Sequence, residues 1–338
     1  MEREALEAFV HYVEELGFTG LPLARYYEQM QAHRLSELEV KNYLKWFGKD
    51  RASFDLAFEA VENHPCLSGY TATIRQVPPV EHGIYSGIDT AALEQKMGKV
   101  NWNRKGEHDP ADKSTQAVLK TIPDIFLDLG RLSESGDSKA VLLADSLKIK
   151  YWSGTLVEQS LDLTAIVQQF EKKHYFRIKG DELSDVTSRQ AYNLLSGRHV
   201  LKFETAEAVP FSEYWIGLEP SGNGFSHECY DEFNIKEAIG RLQVAEMKND
   251  QSGAGLIRSL IEGDLVAAHI SAGEKLIPVL LAANAKKKEI TLFNEQGVEF
   301  SPEQLLHTHS GQKNKKDISS RKPPLVKRKP GKNKGKSP

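Results

Sequence analysis

The sequence predicts an α+β fold: a mainly helical N-terminal domain, two tandem α-β-β-β-α modules and a disordered basic tail. Three observations carry that reading. Apolar residues recur at helical spacing through most of the first 172 residues. A short segment, LLSGRHV (194–200), returns as LIEGDLV (260–266). Charge is segregated: residues 311–338 hold nine lysines and two arginines against the single acid Asp317, which puts +10 on that stretch and leaves −13 on residues 1–310 of a chain whose net charge is −3. The expected boundaries are 1–172 for the helical domain with a small β insert, 174–250 and 252–306 for the two modules, and 307–338 for the tail.

The opening run MEREALEAFVHYVEELG predicts an amphipathic helix, with Phe9, Tyr12, Val13 and Leu16 on one face and Gly17 at its end. Pro22 suits the first position of a second helix carrying Leu23, Tyr26, Tyr27 and Met30. Ser36 and Glu39 have the spacing of a capping box ahead of Val40, Tyr43, Leu44 and Phe47, a third helix closed by Gly48. Phe54, Phe58 and Val61 give a fourth stripe. So many aromatics invite a base-stacking account, but stripes at this spacing ordinarily form the core of a small bundle. HPCLSG reads as a turn, and YTATIRQV (70–77) as a strand stopped by Pro78 and Pro79. Asp89 or Thr90 caps a helix with Leu93 and Met97, and the polar run 101–112 is a loop. Residues 113–151 predict two helices, the first interrupted by Pro123, and 160–172 a last one.

From residue 174 the pattern changes. In each copy of the repeat a helix ends at a glycine, Gly197 or Gly263, placed where a helix C-terminus needs a left-handed residue. A strand then opens at Val200 or Val266, and a second strand follows a proline, Pro210 or Pro278. A further strand, turn and helix close each copy: FSHECYDEFNIKEAIGRL in one, and EITLFNEQGVEFSPEQLL, capped by Ser301, in the other. Residues 180–244 and 252–306 are thus expected to be two α-β-β-β-α units.

Here AYNLLSGRHV, YDEFNIKEAIGRL, GLIRSLIEGDLVAAHI and AANAKKKEITLFNEQG together resemble a bacterial domain-of-unknown-function family. The likeness covers about residues 170–305. That family has no established activity and is often met near mobile elements. The resemblance implies a fold and a setting, and it brings no catalytic residues.

No segment approaches the roughly 18 apolar residues that span a bilayer, and the acidic start lacks the form of a secretory signal. The two cysteines, Cys66 and Cys229, have no CxxC partner and read as reduced, semi-buried thiols of a cytoplasmic protein. No catalytic constellation persuades. PGKNKGKSP imitates a phosphate loop, but Pro330 stands where its first glycine belongs. GAGLIR (253–258) has Arg258 at the third glycine of a dinucleotide fingerprint and follows no strand. His108 with Asp109 is a two-metal fragment without further ligands, and Asp124 with Asp128 is one turn of a solvated helix face. His307 and His309 lack a third zinc ligand. His227 and Cys229 share one face of an extended segment, but no carboxylate is assignable to orient the histidine. No catalytic residue, metal or cofactor is therefore assigned, which leans the reading away from an enzyme.

The tail is the strongest functional signal. Its cations, Lys313, Lys315, Lys316, Arg321, Lys322, Lys327, Arg328, Lys329, Lys332, Lys334 and Lys336, alternate with Gly, Pro, Ser and Asn. Such a segment builds no core and binds phosphate backbones by counterion release, without reading sequence. It holds no aromatic residue, so it offers no base stacking. RKPPLVKRKP adds a short polyproline-like element suited to docking a partner. The expected function is that of a cytosolic accessory protein which contacts nucleic acid through its tail and a protein partner through its folded modules. The alternatives are an adaptor with no nucleic-acid role and, less favoured, a metal-dependent hydrolase with a site between the halves.

Overall fold

The computed structural model describes residues 2–301, apart from residues 49, 63, 78–79, 103–112, 182, 207–208, 223, 273–274 and 296. Helices and antiparallel sheets are mixed, which is the α+β class. Two helices open the chain, α1 (Glu2–Glu15) and α2 (Leu23–His33). They lean on one face of an antiparallel meander, β1 (Glu37–Phe47), β2 (Asp50–Val61) and β3 (His64–Arg75).

The meander corrects the sequence reading. The third and fourth helices and the turn at HPCLSG are all strand. Val40 and Tyr43 stand three apart, as in a helix, only because a bulge separates them, with Asn42 at φ 58°. In β2 the buried residues are Ala52, Phe54, Leu56 and Phe58, a strict alternation. The 54/58 pair fits two periods of a strand as well as one turn of a helix. Ser36 caps nothing; its carbonyl accepts the Ala60 N–H at 3.0 Å.

After β3 the chain leaves the sheet through β4 (Ile84–Tyr85), β5 (Ile88–Asp89), α3 (Thr90–Gly98), α4 (Lys113–Ser133), α5 (Ser138–Trp152), α6 (Leu156–Ser160) and α7 (Thr164–Phe170). This helical unit has its own core, including Leu93, Met97, Ile125, Leu129, Leu147 and Trp152. Asp89 caps α3 as expected, accepting the N–H groups of Ala91 and Ala92. The chain then returns as β6 (Glu171–Arg177), which pairs antiparallel with β3 and makes the sheet order β1-β2-β3-β6. The helical expectation for 1–172 therefore holds at both ends and fails over 37–61, while the strand expected at 70–77 is the end of a longer β3. The later helices are an excursion between two adjacent strands.

Next come α8 (Ser188–Leu195), β7 (Val200–Ala206), β8 (Val209–Ser221), β9 (Gly224–Tyr230) and α9 (Ile235–Gly240). They are followed by α10 (Asp250–Ile261), β10 (Val266–Ala272), β11 (Lys275–Asn284), β12 (Glu289–Phe293) and β13 (Glu299–Phe300). Pro210 and Pro278 lie inside β8 and β11, not ahead of them. The helix expected after Ser301 lies outside the described residues. Gly197 and Gly263 take φ of 79° and 82° after their helices, and Val200 and Val266 open strands, as the repeat predicts.

The same device occurs a third time, after α2. Arg34, at φ 49°, donates to the Gln31 carbonyl and Leu35 donates to the Met30 carbonyl. Gly197 with Arg198, and Gly263 with Asp264, make the matching pairs of bonds. Each is a Schellman cap, and each left-handed residue stands three positions before its strand. The order helix, cap and three antiparallel strands thus appears three times.

One core joins α1, α2, the inner face of the four-stranded sheet, α8, Val200 and Ile216. A second joins Trp215, α9, α10 and the sheet β10-β11-β12-β13. Neighbouring residues of β8, Trp215 and Ile216, belong to different cores because successive strand side chains point to opposite faces. The sheet β7-β8-β9 is therefore the shared middle layer.

Candidate functional site

The eleven tail cations, His307, His309, His108 and Asp109 lie outside the described residues. The remaining candidates fall apart in space. Asp124 is exposed on α4, and Asp128 on the same helix pairs with Lys96 at 3.5 Å. His227 and Cys229 do share a face of β9, yet the Cys229 thiol is exposed and pushed up, by burial and by Asp231, Glu228 and Glu204. Acids around a thiol oppose the thiolate a nucleophile needs. Cys66 is half-buried, and its thiol donates to the Glu59 carbonyl at 3.3 Å. Among the described residues no three His, Cys, Asp or Glu side chains converge as a metal site.

His227 instead meets a residue the sequence reading passed over. Its Nε2 lies 2.9 Å from Nε2 of His174 on β6, one ring donating to the other, with Phe176 packed against both. Burial and the neighbouring His227 hold His174 at about 4, and burial lowers His227 as well. In the unfolded chain an imidazole takes up its proton near pH 6.5. Between about pH 6.5 and 4 the unfolded state therefore binds more protons than the fold. Stability contributed by the pair is present above that window and is lost as pH falls through it. His174→Gln should flatten the acid limb of a urea-midpoint profile by on the order of 1 kcal/mol, the half-exposed site being partly screened. A variant losing stability between pH 7 and 5 as steeply as its parent would contradict this.

A second constellation sits in the helical unit. The Glu94 carboxylate takes His82 Nε2 at 2.7 Å, Tyr151 Oη at 3.0 Å and the Lys150 ammonium. Burial and this carboxylate push Tyr151 up to about 12. His82 Nδ1 lies 3.3 Å from Thr90 Oγ1, so Thr90, His82 and Glu94 run in relay order. The hydroxyl is nonetheless fully buried and bonded to both the N–H and the carbonyl of Gly83. A substrate has no path to it, and the group is a structural hub.

The densest polar cluster is at the start of α8. Buried Asp185 accepts the N–H groups of Lys179, Gly180 and Asp181 at 2.8–2.9 Å, and also the Tyr12 hydroxyl from α1. The Tyr70 hydroxyl of β3 donates to the Val186 carbonyl. Buried Lys202 donates to the Asp185 carbonyl at 2.8 Å and to Gln190 at 3.1 Å; burial lowers its pKa. Gln190 and Asn193 then reach Glu262, and Asn193 and Arg189 reach Asp264. One network thus clamps α1, β3, α8 and the turn before β10. Asp185→Ala would leave three part-buried N–H donors and the Tyr12 hydroxyl without this acceptor and should cost about 1–3 kcal/mol. An unchanged denaturation midpoint would remove the clamp.

No protein-family model, curated protein or solved structure matches the chain. Among the described residues no helix is long and apolar enough to cross a membrane.

Proposed function

We propose that this protein is a cytosolic accessory protein without catalysis of its own, contacting nucleic acid through its basic tail and a protein partner through its folded modules. One observation carries the reading: +10 on residues 311–338 beside −13 on residues 1–310. Acidic modules repel a polyanion, so the attraction is assigned to the basic segment. The clamp at Asp185 supports the scaffold role, since it fixes three α-β-β-β units relative to one another. A mobile-element setting, implied by the sequence resemblance, suits such an accessory protein. Salt-titrated nucleic-acid binding of the full chain and of a chain ending at residue 310 tests the tail. A native pull-down tests the protein partner, and loss of nucleic acid with retention of a partner would favour a plain adaptor.

A further inference from the structure

Among the described residues only one face of the sheet β1-β2-β3-β6 packs into a hydrophobic core. On the other, Trp46 stands opposite Arg51, Leu44 lines up with Ser53, Thr73 and Lys173, and Asp55 lines up with Thr71 and Tyr175. Trp46 is 65% exposed and Tyr175 50% exposed. Tyr175 is not loose: a Cβ at Gly69 would overlap its hydroxyl and Cζ, so this glycine lets the phenol end rest on β3. The ring keeps part of its surface to solvent while its position is set by the strand beneath. A ring positioned before binding loses little freedom when a ligand stacks on it.

The charges beside these rings are cationic. Arg51, Lys173 and Arg177 are exposed on this face, and none has an acidic partner among the described residues. The nearby acids are engaged: Asp55 accepts the Asn42 N–H at 2.9 Å, Glu39 pairs with Lys41 at 3.1 Å and Glu171 with Arg75 at 3.0 Å. Glu37 and Glu59 face each other at the far end of the sheet and bound the cationic region.

We infer that this open face binds single-stranded nucleic acid, with bases stacking on Trp46 and Tyr175 and phosphates meeting Arg51, Lys173 and Arg177. Exposed aromatic faces beside free cations are what an unpaired strand needs, since every base has a π-face and every linkage a charge. Three strand spacings and four residues along the strand put the two rings about 20 Å apart, a diagonal that a short extended strand bridges. A duplex hides its base faces and gains only the charge. The inference rests on the preceding reading for the class of polymer alone; it assigns the stacking that the tail, with no aromatic residue, does not offer.

The test compares the full-length parent and three full-length variants binding fluorescein-labelled dT15 and the matched 15-base-pair duplex at fixed salt. W46A/Y175A should lose tenfold or more for dT15 and about twofold or less for duplex. W46F/Y175F, which keeps both ring faces, should bind dT15 within about threefold of the parent and so separates stacking from folding. A protein with Lys327, Lys329, Lys332 and Lys334 changed to Gln should weaken both probes alike. If W46A/Y175A binds dT15 as the parent does, or weakens both probes equally, the platform is overturned while the tail reading stands. If the tail variant binds both probes as the parent does while W46A/Y175A loses dT15, the tail reading falls and the platform stands. A protein captured through Trp46 and Tyr175, with dT15 affinity unaffected by W46A/Y175A, would assign the face to a protein partner and overturn the inference.

Discussion

Gly263→Val should destabilise the protein by about 1–3 kcal/mol more than Gly197→Val, although the two glycines are equivalent in sequence. Both occupy left-handed backbone, at φ 82° and 79°, where a β-branched residue costs about 1–2 kcal/mol. Their surroundings differ. A Cβ at Gly197 meets nothing within 4 Å. A Cβ at Gly263 would lie 2.9 Å from the His199 carbonyl oxygen, 2.9 Å from Val200 Cγ2 and 3.1 Å from Asn193 Cβ. The first of these is backbone and cannot step aside. Overpacking of this kind adds about 1–3 kcal/mol. It also presses on Asn193, whose amide donates to the Glu262 carbonyl and to Asp264. The expected losses are about 1–2 kcal/mol for Gly197→Val and about 2–5 kcal/mol for Gly263→Val. Urea unfolding of both variants measures them, and equal losses would mean that the turn before β10 does not press on α8.

Removing residues 311–338 should lower affinity for duplex DNA by two orders of magnitude or more at moderate salt. The missing segment carries +10 and the remainder −13, so truncation reverses the sign of the interaction as well as weakening it. With about 5–10 phosphates neutralised, the log-log salt slope of the full chain should lie near −4.5 to −9. For the truncated protein the slope should be close to zero. A truncated protein that binds duplex as tightly as the intact chain would place the duplex contact in the acidic body.

Features that depend on neighbours along the chain were legible in the sequence. It placed the charge reversal, a cap at Asp89 or Thr90, and the paired Gly197 and Gly263 turns, because charge, capping and left-handed glycine are local properties. The third Schellman turn escaped it because Arg34 holds the left-handed position there without being a glycine. Tertiary structure alone decided that residues 37–61 are strands. Val40, Tyr43 and Phe47 satisfy a helical period, and only pairing with β2, with its bulge beside Asn42, turns that spacing into alternation. The surfaces that matter were likewise invisible along the chain. Asp185 and Tyr12 are 173 residues apart, His174 and His227 53 apart, and Tyr175 and Gly69 meet only because the helical unit returns as β6 beside β3. Spacing along a sequence reports the period of one element, whereas a site is made where separate elements are held together by cores they share.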